Sequence, residues 1–487
     1  MPLVILSALF VLASAQADIL IHPGKVDFTA AEDFPDGMIL VRVVNRSPFE
    51  EYGYLSTDNG ITWEYYMEGG SSDSSLSAIF SFAADGDSSN FYMLYDCEVE
   101  GPNTLGLEID SRYGRFGTFL NIAPEEVKAH NFAGCTDHIS SEHWIYIGVV
   151  DTAPSQPERT LFFLRSTDYG NDWFPPVDSY PLSVRDPYLA SGITKRIYFA
   201  ACAGTNYDSL LIWTNLNRLD PAEWVCNWIN TGGDEIESPI IAVSFSPVCS
   251  LVVWCAYARN RNNSGNWDIE YVYSTDGGVN WSEPAILAGS LDAEERYFDL
   301  KPRRYENSDE VTLAYIVSTA SKNTIFARTA HAFQPDVWSG PIPMNAHNAA
   351  TDRNVRPKLC YHAQLPSVGP GVVYVTSDSP GCWWSANWPG IAEQPIKSKM
   401  PNGRFKVSPT IGIGPFRIIG VKSGEEITVT DISGRTVRRL CQPVWNGKDD
   451  KGRSLPAGVY IIRGNNTEVR TVILTAPHHP PKWKSSH

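Results

Sequence analysis

Short runs of apolar residues, continuous or alternating with polar ones, recur along most of this chain. Residues 144–150 (WIYIGVV) and 311–317 (VTLAYIV) are two such runs, and both are rich in β-branched and aromatic residues. This length and composition, with Gly, Pro, Asn and Asp between the runs, are typical of β-strands. The pattern therefore predicts an all-β protein.

The runs are grouped into units that each begin with a short apolar strand. Successive starts lie about 40 to 60 residues apart, which is the length of one four-stranded blade. The seven starts lie near Pro35, Leu76, Ala129, Arg185, Glu237, Asp299 and Arg356. Seven units favour a seven-bladed β-propeller, and six blades remain possible if one unit is divided across the closure of the ring.

One motif, S-T-D-x-G-x-x-W, appears in the first, third and fifth units. Its Asp is expected to accept hydrogen bonds from backbone N–H groups one and two residues further on. Its Gly is expected to supply a positive φ, and its Trp to bury a ring beside the turn. A structural role is predicted for Ser56, Asp58, Gly60, Trp63, Ser166, Asp168, Gly170, Trp173, Ser274, Asp276, Gly278 and Trp281.

The three copies resemble the Asp-box, or bacterial neuraminidase repeat, of the sialidase superfamily. The resemblance implies a β-propeller over residues 18–395, with the boxes on its outer rim and away from the central site. It therefore implies the fold more strongly than it implies sialidase chemistry.

A different pattern follows at residues 410–476. The string W-x-G-x-D-x-x-G, from Trp445 to Gly452, precedes L-P-x-G-x-Y, from Leu455 to Tyr460. It resembles the flagellar hook-capping immunoglobulin-like module and the C-terminal sorting domains of bacterial type IX secretion. The resemblance implies a small immunoglobulin-like β-sandwich that the secretion machinery recognises. A linker at 396–409 and a polar tail at 477–487 are predicted on either side.

Composition and charge restrict the possible locations and partners. The net charge is −16 with 12% aromatic residues, and so acidic a surface argues against nucleic acid as a partner. Residues 1–17 have the apolar stretch and small-x-small sites of a signal peptide. No membrane span is predicted for the mature chain, because residues 240–258 contain Pro247 and are expected to form two buried strands. A secreted or cell-surface bacterial protein is expected.

Cysteine spacing and local motifs predict no metal and no cofactor. The chain has nine Cys, so at least one is unpaired; Cys202 with Cys226, or Cys249 with Cys255, are possible disulfides, and buried thiols are the alternative. No Cys/His cluster has zinc spacing. Residues 85–90 (DGDSSN) have part of the oxygen spacing of a calcium loop, although a polar hairpin tip explains them equally well.

The candidate ligand-binding residues lie at the starts of the innermost strands. They are Arg185, Glu237, Arg303 and Arg356, with Arg304 as an alternative to Arg303. Arginines from different blades can converge on a carboxylate, and the sialidase resemblance implies such a triad. The first unit lacks the sialidase Arg-Ile-Pro signature, so we expect a recognition protein that binds glycan or protein through one propeller face. A sialidase-like glycoside hydrolase and purely structural ion pairs are the alternatives.

Overall fold

A computed structural model describes the chain in two compact units, Met1–Ala392 and Glu393–His487. The residues that it describes are 18–34, 37–46, 49–69, 74–82, 90–97, 104–111, 120–121, 129–136, 144–151, 160–168, 170, 172–175, 177–181, 184–305, 308–320, 322–344, 351–352, 355–361, 369–377, 380–386, 406–408, 411–412, 416–419, 427–431, 435–440, 444–445, 447–449, 453–456, 458–463 and 469–474. The predicted signal peptide, the polar tail and most of the predicted calcium loop and linker lie outside these ranges.

The first unit is built from antiparallel strands, with one short 3₁₀ helix at Arg261–Asn263. Its strands are β1 (Ile19–Pro23), β2 (Phe28–Asp33), β3 (Ile39–Arg46), β4 (Phe49–Ser56), β5 (Glu64–Gly69), β6 (Ser74–Phe82), β7 (Asn90–Cys97), β8 (Thr104–Ser111), β9 (Leu120–Asn121), β10 (Ala129–Thr136), β11 (Ile145–Asp151), β12 (Thr160–Ser166), β13 (Val177–Pro181), β14 (Val184–Ser191), β15 (Ile197–Ala203), β16 (Ser209–Asn215), β17 (Trp224–Asn230), β18 (Ile236–Val243), β19 (Val253–Asn260), β20 (Trp267–Ser274), β21 (Ala285–Ala288), β22 (Glu294–Pro302), β23 (Glu310–Ser318), β24 (Asn323–His331), β25 (Gln334–Trp338), β26 (Ile342–Pro343), β27 (Lys358–Cys360), β28 (Gly371–Thr376) and β29 (Gly381–Ser385).

Consecutive strands pair to form four-stranded antiparallel sheets. Sheet 1 is β2–β5, sheet 2 is β6–β9, sheet 3 is β10–β13, sheet 4 is β14–β17 and sheet 5 is β18–β21. Sheet 6 is β22–β25 with β26 added against β24, and sheet 7 is β27–β29 with β1. The first strand of each sheet contacts the first strand of the next, and β27 contacts β2, so these strands form a closed ring. The all-β prediction is confirmed, and this arrangement of sheets is that of a β-propeller.

The ring is completed by strand β1 from the beginning of the chain. It pairs with β29 as the outer strand of sheet 7, with Ile19 opposite Trp384 and Pro23 opposite Gly381. The first sequence unit was expected to start near Pro35, but β2 begins at Phe28 and Gly37 lies in the β2–β3 turn. The reason is that β2 (FTAAED) contains few large apolar residues, so in sequence the apolar run from residue 38, which is the second strand of its sheet, resembles a first strand more closely.

Apolar clusters fill the space between neighbouring sheets. Between sheets 3 and 4, Phe163 and Phe199 meet edge to face with ring centroids 5.4 Å apart. Strand β15 is buried at every position, because both of its faces pack against other sheets. Burial on both faces explains why the central strands read as continuous apolar runs instead of alternating ones.

The three S-T-D-x-G-x-x-W turns share one set of hydrogen bonds. In the first, Gly60 N donates to Ser56 Oγ at 2.8 Å, and Thr62 N donates to Asp58 Oδ1 at 2.8 Å. Trp63 Nε1 donates to Gly60 O at 3.2 Å, and the second and third copies repeat these contacts. The Asp therefore accepts from the N–H four residues further on, not one or two as expected, because the Ser hydroxyl already receives the nearer N–H groups.

The second unit consists of two small sheets. Its strands are β30 (Lys406–Ser408), β31 (Ile411–Gly412), β32 (Phe416–Ile419), β33 (Ile427–Asp431), β34 (Thr436–Leu440), β35 (Val444–Trp445), β36 (Gly458–Arg463) and β37 (Val469–Leu474). One sheet has the order β30-β32-β35 and the other β31-β37-β36-β33-β34. Trp445 is fully buried in the apolar cluster of this unit and meets Tyr460 at 5.2 Å.

Two further expectations are settled by the described residues. Cys202, Cys226, Cys249 and Cys255 are all free thiols, so neither of the suggested local disulfides is formed. The apolar stretch 240–258 is divided between β18 and β19, as expected. Among the described residues, no helix has the length and apolarity needed to cross a membrane.

Candidate functional site

The ring of first strands surrounds a cavity of about 670 Å³. Residues from β2, β10, β14, β18 and β22 line it, together with the segment that leads into β27. The aromatic side chains on its wall are Phe28, Phe132, Tyr188, Phe245 and Tyr297. A cavity of this size, with aromatic walls and a few polar groups, is typical of small-ligand sites.

Arg185 does not face this cavity. Its Nη2 donates to Glu235 Oε1 at 2.7 Å and to the carbonyl oxygen of Ile236 at 2.8 Å. Its guanidinium lies over the ring of Tyr207, 4.2 Å from the centroid. The side chain thus joins sheet 4 to the edge of sheet 5, which is a structural ion pair.

Glu237 is also held by a neighbouring sheet. Arg296 of β22 donates to both of its carboxylate oxygens, at 2.5 Å each, in a bidentate pair. The guanidinium of Arg296 also stacks over Trp267 at 4.3 Å. Glu237 therefore connects sheets 5 and 6 and lies outside the cavity lining.

Among the remaining candidates, Arg356 lines the cavity, and so does Arg304, the alternative to Arg303, whereas Arg303 does not. Arg303 is 6% exposed, and its guanidinium lies 5.9 Å from the centre of the Tyr361 ring. Arg356 extends into the cavity and donates through Nη2 to the hydroxyl of Ser238. The structure therefore does not bring Arg185, Arg303 and Arg356 together as a triad.

Arg356 belongs to a chain of polar contacts across the cavity. Ser238 N donates to Asp186 Oδ2 at 3.2 Å, so sheets 4, 5 and 7 are linked through Asp186, Ser238 and Arg356. Asp186 and Ser238 both have left-handed backbones, with φ of 52° and 59°, and each precedes a proline. Non-glycine residues adopt this conformation at a cost, and such strain is found mostly at functional sites.

The strain coincides with irregular pairing of the two first strands. The β14–β15 register shifts between Arg185 and Tyr188, and the β18–β19 register shifts between Glu237 and Ile240. β-Bulges of this kind change the direction of a side chain at the rim of a barrel or ring. Here Asp186 lines the cavity and Ser238 contacts the lining residues Asp186 and Arg356, while their neighbours Arg185 and Glu237 form ion pairs outside it.

A second charged group lies on the side of sheets 1 and 6. Lys301 forms ion pairs with Asp33 and with Glu32, whose Oε2 is 3.6 Å from the ammonium nitrogen. Arg304 also pairs with Glu32 and donates to the carbonyl oxygen of Asp33 at 2.8 Å. Burial alone would raise the pKa of Asp33, but the charges of Lys301 and Arg304 lower it. Asp33 is therefore held in its ionised form, and its charge is offset by these two cations.

The lining also contains Lys358 at the start of β27. Burial lowers the pKa of its ammonium group, although the carboxylate of Asp299 acts in the opposite direction. Asp299 Oδ2 accepts a hydrogen bond from Leu359 N at 2.8 Å, which fixes it on the cavity wall. Lys301 and Lys358 were not among the residues predicted from the sequence. Lys301 lies two residues after Asp299, the start of its unit, and Lys358 lies two residues after Arg356, a spacing that places side chains of an extended segment on one face.

Positive and negative groups are equally numerous in the described lining. The four cations are Lys301, Arg304, Arg356 and Lys358, and the four carboxylates are Asp27, Glu32, Asp186 and Asp299. The cavity therefore has no surplus of positive charge with which to hold a ligand carboxylate. No group of three His, Cys, Asp or Glu side chains suited to a metal ion was found within the described ranges.

Comparison with known proteins gives structural likeness alone. No family model and no curated protein matches the sequence. A Dyadobacter fermentans protein of unknown function aligns with 64% of this chain and 97% of its own, at 12% identity and a TM-score of 0.43. The NanB sialidase of Streptococcus pneumoniae aligns over 76% and 69%, at 12% identity and 0.41. PorZ, a surface component of the type-IX secretion system of Porphyromonas gingivalis, aligns over 93% and 59%, at 13% identity and 0.41.

Proposed function

We propose that this chain is an exported recognition protein that binds a glycan in the central cavity of a seven-bladed propeller. The observation that carries the proposal is that Asp186 and Arg356, which Ser238 links by hydrogen bonds, line the cavity together with Tyr188 and Tyr297. Carboxylate, hydroxyl and guanidinium groups can exchange hydrogen bonds with sugar hydroxyls, and aromatic rings can cover the apolar faces of a sugar. The blade count rests on the seven first strands that contact one another in a ring.

The balance of charge in the cavity favours an uncharged saccharide. Four cations and four carboxylates line the described part of the wall, so their formal charges balance, and Lys301 and Arg304 both form ion pairs with Glu32. An acidic sugar would be favoured by a surplus of cations, whereas a neutral sugar needs only donors and acceptors. The sequence also predicts a protein as a possible ligand, and binding measurements distinguish a protein ligand from a glycan.

The geometry supports a hydrolase less well. Glu32 and Asp33 share the cations Lys301 and Arg304, so two carboxylates lie close together, as a glycoside hydrolase requires. The pKa of Asp33 is lowered, however, whereas a general acid needs a raised pKa. Burial also raises the pKa of Tyr188 and of Tyr305, which disfavours either phenol as a nucleophile. A sialidase-like enzyme therefore remains only the alternative function.

For the second unit we propose an immunoglobulin-like sorting or anchoring domain. Its two sheets enclose the buried Trp445, and Asp431 and Asp449 each receive a hydrogen bond from the backbone of an arginine four residues on. This proposal predicts that removal of residues 393–487 abolishes surface display in a bacterium with a type IX route. Unchanged display of the shortened chain would contradict it.

The central-cavity proposal is tested by glycan-array binding of the purified protein, followed by calorimetry on the best neutral glycan. Arg356→Ala is expected to weaken that binding at least tenfold, because it removes the Ser238 contact at the cavity. Arg435→Ala, a 77% exposed side chain in the second unit, is the control and is expected to bind as the wild type does. Circular dichroism of both variants establishes that they are folded.

Two results would overturn this function. A folded protein that binds no glycan but binds a peptide or protein in an Arg356-dependent way would establish protein recognition. Turnover of a fluorogenic sialoside that is lost in Arg356→Ala would establish the hydrolase.

A further inference from the structure

We propose that the amine of Lys358 forms a covalent imine with the aldehyde group of a small hydroxyaldehyde that enters the central cavity. Lys358 is the first residue of β27, which is the first strand of sheet 7, and it lines the cavity of about 670 Å³. The reaction uses the cavity already described but does not require that a glycan bind there. It therefore goes beyond the recognition function proposed above.

The amine of Lys358 is not committed to a neighbouring side chain of the described structure. In the part of the chain that the structure describes, Lys358 forms no hydrogen bond and no ion pair through its ammonium group. Lys301 lines the same cavity but pairs with both Glu32 and Asp33. A lysine amine without such a partner is available to a ligand in the cavity.

The surroundings of Lys358 favour its neutral amine, which is the nucleophilic form. Burial lowers the pKa of the ammonium group, and the positive charges of Arg356 and Lys301 also lower it. The carboxylates of Asp299 and Glu32 act in the opposite direction, but the pKa stays below its usual value. Lysines that form imines with carbonyl compounds are activated by this kind of environment.

Lys301 provides a contrast within the same cavity. Burial alone would lower the pKa of its ammonium group, but the carboxylates of Asp33 and Glu32 raise it above its usual value. Lys301 therefore stays protonated, and an ammonium group has no lone pair with which to attack a carbonyl carbon. Of these two lysines, Lys358 is the one expected to react.

Two further groups of the lining can assist the reaction. Asp299 Oδ2 accepts a hydrogen bond from Leu359 N at 2.8 Å, which holds this carboxylate beside residue 358, where it can transfer protons. Burial raises the pKa of Tyr188, and the charge of Asp299 raises it further. The Tyr188 phenol therefore keeps its proton and can donate a hydrogen bond to the oxygen of a carbonyl group.

The reaction is balanced without an oxidant or a reductant. The nitrogen of Lys358 forms a bond with the carbonyl carbon, and one proton moves from that nitrogen to the carbonyl oxygen to give a carbinolamine. The hydroxyl group then leaves with the remaining proton of the nitrogen as water, and a C=N double bond forms. One amine and one aldehyde thus give one imine and one water.

The lining of the cavity defines the ligand class. Aromatic side chains such as Phe28 and Tyr297 exclude water, which would otherwise hydrolyse the imine. Asp186 and Arg356 offer an acceptor and donors for hydroxyl groups. A short aldehyde that carries hydroxyl groups, such as glyceraldehyde, therefore matches both the polar and the apolar parts of the lining.

The test is reductive trapping of the full protein with glyceraldehyde and cyanoborohydride near neutral pH, followed by peptide mass spectrometry. Lys358 is expected to be labelled at least about tenfold faster than Lys322, an exposed lysine between β23 and β24, because each pKa unit changes the fraction of neutral amine about tenfold. Lys301 is expected to remain unlabelled. Labelling of Lys358 at the rate of Lys322 or more slowly would overturn the proposal.

A polymer-linked aldehyde tests whether the reaction takes place inside the cavity. An aldehyde on a polyethylene glycol chain too large to enter is expected to label Lys322 but not Lys358. Rapid labelling of Lys358 by this polymer would contradict the proposal, because the amine would then be accessible from outside the cavity.

Variants assign the rapid adduct to one residue. Lys358→Arg is expected to lose this adduct in the mass spectrum of the intact protein, whereas the matched control Lys322→Arg keeps it; circular dichroism establishes that both are folded. A rapid adduct that persists in Lys358→Arg would exclude this site. Glycan binding is measured separately on unmodified protein, so trapping without glycan binding supports this inference alone, and glycan binding without trapping overturns this inference alone.

Discussion

Single glycines in the S-T-D-x-G-x-x-W turns meet two separate requirements. Gly60 has φ of +85°, and a Cβ at this position would overlap the ring of Trp384 from sheet 7. Gly265, in the β19–β20 connection, has a similar φ of +83° but no atom within 4 Å of the position of a Cβ. Alanine substitutions at Gly60 and Gly265 therefore allow the cost of backbone strain to be distinguished from the cost of close packing.

Gly60→Ala is expected to lower the free energy of unfolding more than Gly265→Ala does. The control variant should cost about 1 kcal/mol, because alanine at a positive φ is strained. Gly60→Ala should cost about 1–3 kcal/mol more, because the new methyl group also displaces Trp384. Urea unfolding of both variants checks this; equal losses would show that the close approach to Trp384 has no energetic effect.

Glu295 is a single carboxyl group that should make stability depend on pH. It is 4% exposed and accepts a hydrogen bond from Ser290 Oγ at 3.0 Å, while the nearby Asp268 carboxylate repels its ionised form. Burial, with this repulsion, raises the pKa of Glu295 to about 7. The folded protein therefore keeps a proton that the unfolded chain releases at its ordinary, lower pKa.

The free energy of unfolding should consequently fall as pH rises from about 5 to 7, by about 1.4 kcal/mol per pH unit from this group. Glu295→Gln removes the titration, so the variant should lose this part of the pH dependence and be more stable than the wild type at pH 8. Denaturant unfolding from pH 5 to pH 8 measures the difference. Parallel curves for the two proteins would be the contrary result.

The candidate residues show what sequence patterns reveal about individual side chains and what they leave hidden. Charged residues at the first strands were recognised, and Arg356 does line the cavity. Which of two neighbours faces the cavity depends on bulges, and the one-residue register shift that follows Arg185 and Glu237 has no signature in the sequence. The turn after β16 was likewise hidden, because Asn215 Oδ1 accepts the two backbone hydrogen bonds that a Ser hydroxyl accepts in the S-T-D-x-G-x-x-W turns.

Among the strands, β1 has an unusual position. It comes first in the chain yet forms the outer strand of sheet 7, and its Ile21 belongs to the apolar cluster between sheets 7 and 1. Ile21 is 6% exposed, whereas its neighbour Leu20 is 44% exposed. Substitution of the buried Ile21 therefore tests whether β1 packs in this cluster, and substitution of the exposed Leu20 is the control.

Ile21→Ala is expected to cost about 2–4 kcal/mol of unfolding free energy, because it leaves a cavity against β29. Leu20→Ala, one residue away on the opposite face, is expected to cost under about 1 kcal/mol. Chemical denaturation of both variants tests the pairing. Equal small effects would mean that β1 does not complete sheet 7 in solution.

Most strands were predictable because apolar runs and turn residues alternate so regularly. The boundaries of the first sheet were not, since β2 (FTAAED) contains few large apolar residues and does not resemble the other first strands. Its role depends on its place in the ring, between β27 and β6, and not on its own composition. A first strand with so atypical a sequence is therefore recognised only from its contacts with the neighbouring first strands in the structure.

For the full chain, the division into Met1–Ala392 and Glu393–His487 implies two separate unfolding transitions. Trp445 is fully buried in the second unit, where its Nε1 donates to Lys448 O at 3.0 Å. Its loss should destabilise that unit, because the described members of its apolar cluster, from Ile427 to Ile462, belong to it.

Trp445→Ala is expected to lower the melting temperature of the second unit sharply, with a loss of about 3–5 kcal/mol, and to leave the first unit unchanged. Differential scanning calorimetry of the wild type and the variant resolves the two transitions. Arg435→Ala, exposed in the same unit, serves as the control. A single transition that shifts as a whole would show that the units unfold together.

The pairing of β1 with β29 also has a consequence for the order of events during synthesis. Ile19 finds its partner Trp384 only after nearly the whole first unit has been made, so this contact has a very large sequence separation. Loop-closure entropy makes such contacts slow to form, and until the two strands pair each has an open edge that another chain can join. The nascent protein is therefore expected to depend on a chaperone until its last blade has emerged. A chain that stops short of residue 381 would keep its N-terminal strand unpaired and be prone to aggregation.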